Sequence, residues 1–160
     1  MLQATINRLR AGKKDDEGFT LIELLVVVVI IGVLVAIAVP VYLNYREGAA
    51  DKSAQSDVRG AISAIEQYYT SNSNTYPAAA TSTGKTDGKI TLAAQPNGQA
   101  GTITFSGGTT LNYVTADGGY LICAWNQGGS KDKWFLYSSA EGGSVKDKTG
   151  TKPSAGSCTV

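Results

Sequence analysis

The sequence predicts an α+β chain in which one long N-terminal helix, apolar through its first half, packs on a C-terminal antiparallel β-sheet. Three observations carry this. Between Leu24 and Val39 there is no charged residue, and with Phe19 to Ile22 the apolar segment reaches about the ~20 residues a membrane-crossing helix needs. After Pro40 the pattern turns two-sided. Tyr42, Tyr45 and Ala49, then Val58, Ile62, Ile65 and Tyr69, recur at helical spacing among Arg46, Glu47, Asp51, Lys52, Asp57 and Arg59. From residue 89 onward, short segments bounded by Gly, Asn, Asp or Ser read as strands.

Residues 1–18 come first and are polar. Arg8, Arg10, Lys13 and Lys14 precede Asp15-Asp16-Glu17-Gly18, and the apolar run begins only afterwards. A secretory signal places its small-residue cut site after the apolar core, which here would discard the anchor. A cut at Gly18 instead removes a leader, residues 1–18, and leaves Phe19 as the new amino terminus. The basic leader also sets orientation, because positive flanks stay cytoplasmic and the C-terminal region is sent outward.

The helix follows, expected over residues 19–72 with its core from Thr20 to Ser71, roughly 75–80 Å at 1.5 Å per residue. Residues 19–40 are its membrane half. Asn72-Ser73-Asn74-Thr75-Tyr76-Pro77 ends it, since Asn and the residue before a proline disfavour continuation. Glu23 stands inside the apolar run, where a carboxylate is costly unless it gains a partner. An ordinary anchor whose Glu23 reaches the headgroup region is the plainer reading. Two weak points are expected. Gly32 is a poor helix former, and Pro40 cannot donate a hydrogen bond to the Ala36 carbonyl.

Residues 73–160 form the head. The predicted strands are Lys89 to Ala93, Thr102 to Phe105, Thr110 to Thr115, Gly119 to Trp125 and Lys133 to Ser138. Tyr120, Ile122 and Ala124 alternate with Leu121, Cys123 and Trp125, and neither set is polar, so this strand is expected at the sheet's centre. The connection Asn126 to Asp132 suits a hairpin. One face of the sheet is expected on the Val58, Ile62, Ile65 and Tyr69 stripe. The stretch Thr70 to Gly88, rich in small polar residues, is expected as an exposed loop.

Several function classes fall away. The chain has 160 residues, net charge +1 and no histidine, so a Ser-His-Asp triad, a Cys-His dyad and His-based metal sites are excluded. Four of the 14 basic and three of the 13 acidic side chains lie in residues 1–18, leaving ten of each beyond, so direct binding to nucleic acid is not expected. Lys131, Lys133, Lys146, Lys148 and Lys152 are interspersed with Asp132, Glu141 and Asp147 and read as a solvated surface. Asp117-Gly118-Gly119 and Asp132 offer oxygen ligands without the spacing of a calcium loop, so no metal and no cofactor is expected. Cys123 and Cys158 lie too far apart for a CxxC site. A disulfide is the better reading, with two buried thiols as the alternative. No convergent nucleophile and base is visible, and no enzyme is expected.

The run Gly18-Phe19-Thr20-Leu21-Ile22-Glu23 resembles the class III signal of type IV prepilins and pseudopilins, and the likeness extends from about residue 12 to about residue 72. The resemblance implies the pilin fold. It implies a membrane prepilin peptidase that cuts between Gly18 and Phe19 and N-methylates Phe19. It also implies that Glu23 pairs with the N-terminal amine of a neighbouring subunit, and that the stretch from Gly32 to Pro40 loses helical order on assembly. The chain is then expected as a structural subunit of a type IV pilus, built with an assembly platform and ATPase machinery into a homo-oligomeric filament serving adhesion, twitching motility, DNA uptake or secretion. Before assembly it would be a single-pass cell-membrane protein with a cytoplasmic N-terminus, and afterwards an extracellular fimbrium. The alternatives are a major pseudopilin of a type II secretion system and a membrane-anchored surface binding protein that never polymerises.

Overall fold

The computed structural model describes residues 18–82, 87–116 and 118–158. The helix α1 is Leu21–Ser71, and both Gly32 and Pro40 lie inside it. The chain divides within α1 into one unit that ends at Val41 and a second that begins at Tyr42. The charged residues of the expected leader, Arg8 through Glu17, lie outside the described residues, as do Asp117 and residues 83–86.

In the first unit every side chain from Phe19 to Val41 is exposed. Among the described residues α1 is the one helix long and apolar enough to cross a membrane. Exposure of so many Leu, Ile and Val side chains to water would be strongly unfavourable, which is why this surface calls for lipid or protein around it.

The second unit joins the rest of α1 to a five-stranded antiparallel sheet and a two-stranded hairpin. The strands are β1 (Ala80–Thr81), β2 (Lys89–Leu92), β3 (Gly101–Thr104), β4 (Thr109–Ala116), β5 (Gly119–Asn126), β6 (Lys133–Ser138) and β7 (Lys146–Thr149). The large sheet has the order β1-β4-β5-β6-β7, with β5 central, and β2 pairs with β3. Register puts Leu111 opposite Ala124 and Tyr113 opposite Ile122, then Ile122 opposite Tyr137 and Ala124 opposite Phe135.

That register gives each face its own core. On the inner face Leu111, Tyr113, Tyr120, Ile122, Ala124 and Phe135 meet Ala54, Val58, Ala61, Ile65 and Tyr68 of α1, and the hairpin adds Ile90, Leu92 and Ile103. The buried helix stripe is therefore shifted from the expected one. Ala54 and Ala61 complete its 4-3-4-3 spacing, Ile62 and Tyr69 flank it half-buried, and Tyr42, Tyr45 and Ala49 are exposed. Small alanines serve at the contact because they let the helix backbone come close to the sheet. On the outer face Leu121, Cys123, Trp134, Leu136 and Cys158 form a second cluster, capped by the C-terminal tail.

Two aspartates on α1 fasten the hairpin loops. Asp57 accepts hydrogen bonds from the Ser106 amide at 3.0 Å and its hydroxyl at 2.9 Å. Asp51 does the same with the Ser130 amide at 3.0 Å and its hydroxyl at 2.6 Å. Both carboxylates are buried, and charge-assisted bonds of this kind offset the loss of water around them.

The stretch expected as an exposed loop is partly interior. Asn72 is buried after the last turn of α1. Its Nδ2 donates to the Tyr68 and Gln99 carbonyls at 2.8 and 2.9 Å, and its Oδ1 accepts from the Gln95 amide at 3.1 Å. Pro77 and Ser82 are also buried, and the Ser82 amide donates to the Leu111 carbonyl at 2.8 Å beside β1. Small polar residues read as solvated in sequence, but here each buried one finds a partner.

Candidate functional site

The N-terminal site is built on the first turn of α1. Thr20 is its N-cap and Glu23 the third helical residue. The Glu23 Oε2 accepts hydrogen bonds from the Thr20 amide at 2.9 Å and the Thr20 hydroxyl at 2.7 Å, and the Glu23 amide donates back to Thr20 Oγ1 at 3.3 Å. This reciprocal pair is a capping box, which satisfies two amides that a helix start leaves without intrahelical partners. A carboxylate there also faces the positive end of the helix dipole. Thr20 was not among the expected site residues, although the spacing Thr20-Leu21-Ile22-Glu23 was legible as Thr-x-x-Glu.

Around the box the surface is apolar. Phe19, Ile22, Val26 and Val27 line a shallow groove that Glu23 borders. Gly18 and Phe19 precede the helix in non-regular backbone and are exposed, so the Gly18–Phe19 peptide is not locked into helical hydrogen bonding. Gly32 and Pro40 lie further along the same helix, apart from the box, and an added Cβ at Gly32 would meet no neighbouring atom.

A prokaryotic N-terminal methylation motif matches residues 13–39, the segment that contains the Gly18–Phe19 peptide, the cap and the apolar run. A fimbrial protein of Neisseria meningitidis serogroup A is 34% identical over 127 residues, covering 75% of this chain and 72% of the relative. The chain belongs to the type IV pilin family. This pilin is also 34% identical to fimbrial protein EcpC of Eikenella corrodens over 105 residues, 65% of this chain and 63% of that one. It is 34% identical to the type II secretion system core protein G of Aeromonas hydrophila over 84 residues, 52% of this chain and 58% of that one. No solved structure matches the pilin.

In the second unit Cys123 and Cys158 are joined in a disulfide, with Cα atoms 5.9 Å apart and the residues 35 positions apart in sequence. Asn112 arranges this closure. It is fully buried, opposite Cys123 in the β4–β5 register. Its Nδ2 donates to the Ser154 and Ser157 carbonyls at 3.0 and 3.1 Å, and its Oδ1 accepts from the Gly156 amide at 3.2 Å and the Thr81 hydroxyl at 2.7 Å. The amide thus spends its full donor and acceptor capacity. Trp134 packs in the same outer-face cluster as the disulfide, and its buried Nε1 is the one such side-chain atom without a partner among the described residues.

The lysine surface is mixed. Lys133 pairs with Asp147 at 3.2 Å and Lys146 pairs with Glu141, both partly solvated, so each is worth little to stability. Among the described residues no group of three or more His, Cys, Asp or Glu is gathered as a metal site would require.

Proposed function

We propose that this pilin is the structural subunit of a type IV pilus, made as a precursor with leader 1–18, cut between Gly18 and Phe19 by a prepilin peptidase and N-methylated at Phe19. The single observation behind this reading is Glu23, an acid within an otherwise uncharged helical surface, adjacent to the position where a cut would create an amine. The capping box survives such a cut, because Thr20 keeps its amide. Its geometry occupies Oε2 of Glu23 and leaves Oε1 with no hydrogen bond among the described residues. An ammonium from a neighbouring subunit brought to Oε1 would be attracted strongly in an apolar bundle, so that charge pairing selects the incoming subunit.

Repetition of one such contact gives an open fibre, since a head-to-tail interface that does not close propagates. Residues 19–40 serve first as the membrane anchor, with the leader cytoplasmic, and then as the filament's packed centre. Gly32 to Pro40 is the part of α1 with the weakest intrinsic hold on helical form, and extends on assembly. The partners are the peptidase, an assembly platform with its ATPase and further copies of the chain, and the fibre serves adhesion, motility, DNA uptake or secretion. Similarity to core protein G favours a second reading, the major pseudopilin of a type II secretion system.

The test is Glu23→Ala, followed by membrane fractionation, an electrophoretic assay for the cut, and electron microscopy of sheared surface material. The expected result is an inserted, cut subunit and few or no fibres. Fibre yield equal to that of the unaltered chain would overturn the reading.

A further inference from the structure

Five tyrosines and one carboxylate gather at the corner where α1 ends beside the β4–β5 hairpin. Tyr69 and Tyr76 stack with ring centroids 4.3 Å apart, Tyr76 meets Tyr120 edge-on at 5.1 Å, and Tyr120 lies 5.7 Å from Tyr113 and 5.8 Å from Tyr137. Tyr113 and Tyr120 are buried, and their packing is explained by the core. Tyr69, Tyr76 and Tyr137 are half-exposed, so their rings form a rim rather than an interior.

Glu66 stands in this rim. Its Oε1 accepts a hydrogen bond from the Tyr120 hydroxyl at 2.6 Å, its side chain is exposed, and its second oxygen accepts none among the described residues. Both ion pairs among the described residues lie elsewhere, so no cation among the described residues balances Glu66. The Tyr76 phenol is pushed above its ordinary value, first by burial, then by Glu66 and by Tyr69 and Tyr137, as expected where these groups face one another. Beside the Tyr76 ring, Thr115, Ala116, Gly118 and Gly119 line a shallow cleft.

We propose that this corner binds an organic cation, a quaternary ammonium group set against the ring faces of Tyr69, Tyr76 and Tyr137 with Glu66 as its counter-charge. Aromatic rings attract cations through their negative faces. They favour large, weakly hydrated ones over sodium because desolvation of the cation costs less. A carboxylate with a spare oxygen adds the charge that rings alone do not supply. This goes beyond filament assembly and does not depend on it, so the test uses the single subunit.

The full chain, isotopically labelled at tyrosine rings and held in nonionic detergent, is titrated with tetramethylammonium chloride and followed by NMR. Sodium chloride of equal ionic strength and tert-butyl alcohol, a neutral molecule of similar shape, serve as comparisons. Saturable shifts at Tyr69, Tyr76 and Tyr137 are expected with tetramethylammonium alone. Glu66→Gln keeps an oxygen for the Tyr120 hydroxyl, so the fold stands, and binding should weaken roughly tenfold. Tyr69→Leu, at the rim, should weaken it as well. Shifts that fail to saturate, that follow the alcohol or sodium equally, or that are unchanged in Glu66→Gln would overturn the proposal.

Discussion

Thr20 and Glu23 hold each other across one helical turn, amide to carboxylate and hydroxyl to carboxylate at 2.9 and 2.7 Å, with the return bond at 3.3 Å. The acid that the assembly reading needs is therefore already oriented within a single subunit. Removing the hydroxyl tests this. Thr20→Val should fray the first turn of α1, raising amide hydrogen exchange there roughly fivefold, the effect of losing a cap worth about 1 kcal/mol. Thr20→Ser should leave exchange near that of the unaltered chain. Equal exchange in Val and Ser variants would show that the box does not hold the turn.

Asn112 closes the other end of the chain, and its substitution by Leu would remove four hydrogen bonds at once. The carbonyls of Ser154 and Ser157 and the Gly156 amide would lose their side-chain partner. Asn112→Leu should cost about 3 kcal/mol in urea unfolding and slow re-formation of the Cys123–Cys158 disulfide after reduction. Cys123→Ser with Cys158→Ser should cost about 3–4 kcal/mol through the freed unfolded chain. If Asn112→Leu changed neither stability nor reoxidation, the tail would have to be ordered by the disulfide alone.

What was legible in the sequence followed from periodicity, and what was missed followed from contacts distant along the chain. The helix and strands β2 to β6 announced themselves through alternation or a 3.6-residue repeat, and β5 was readable as central because both its faces are apolar. Strand β7, Lys-Asp-Lys-Thr, hid because an edge strand bears charges that deter further pairing. Strand β1 has two residues and exists only by pairing with Tyr113 and Asn112. The burial of Asn72 and Asn112 depends on partners up to 45 positions away, which no local pattern reveals. At the N-terminal site Gly18, Phe19 and Glu23 stood out as a motif. Thr20 was overlooked although its spacing to Glu23 is a local signal.

The buried phenols of Tyr113 and Tyr120 predict how the head responds to alkali. Both are pushed well above the ordinary value of 10.0, chiefly by burial, with the Glu66 hydrogen bond adding at Tyr120. A phenol with a raised folded value favours the folded state fully below pH ~10, and that stability is lost as pH climbs beyond it towards the folded value. Unfolding above pH ~10 should therefore release a fraction of tyrosinate absorbance in step with loss of near-ultraviolet dichroism. Tyr120→Phe should lower stability at neutral pH by about 1–2 kcal/mol through the lost bond to Glu66, and should flatten the alkaline decline. An alkaline decline as steep in Tyr120→Phe as in the unaltered chain would remove Tyr120 as its source.

Two glycines make opposite predictions from one substitution. A Cβ at Gly98 would overlap the Asn72 side chain, which ties the Gln95 and Gln99 backbone to the end of α1. A Cβ at Gly60, within that helix, would meet no atom within 4 Å. Gly98→Ala should thus displace Asn72 and lower stability by roughly 1–3 kcal/mol, as forced overpacking does. Gly60→Ala should raise it by roughly 0.8–1.0 kcal/mol, because alanine loses less backbone freedom on entering a helix. Thermal unfolding of the detergent-held subunit, followed by near-ultraviolet dichroism, would separate them by midpoint. Should Gly60→Ala also fall below the unaltered chain, that helix face would have to contact something outside the single subunit. Fibre assembly of the same variant would then show whether the contact is another copy.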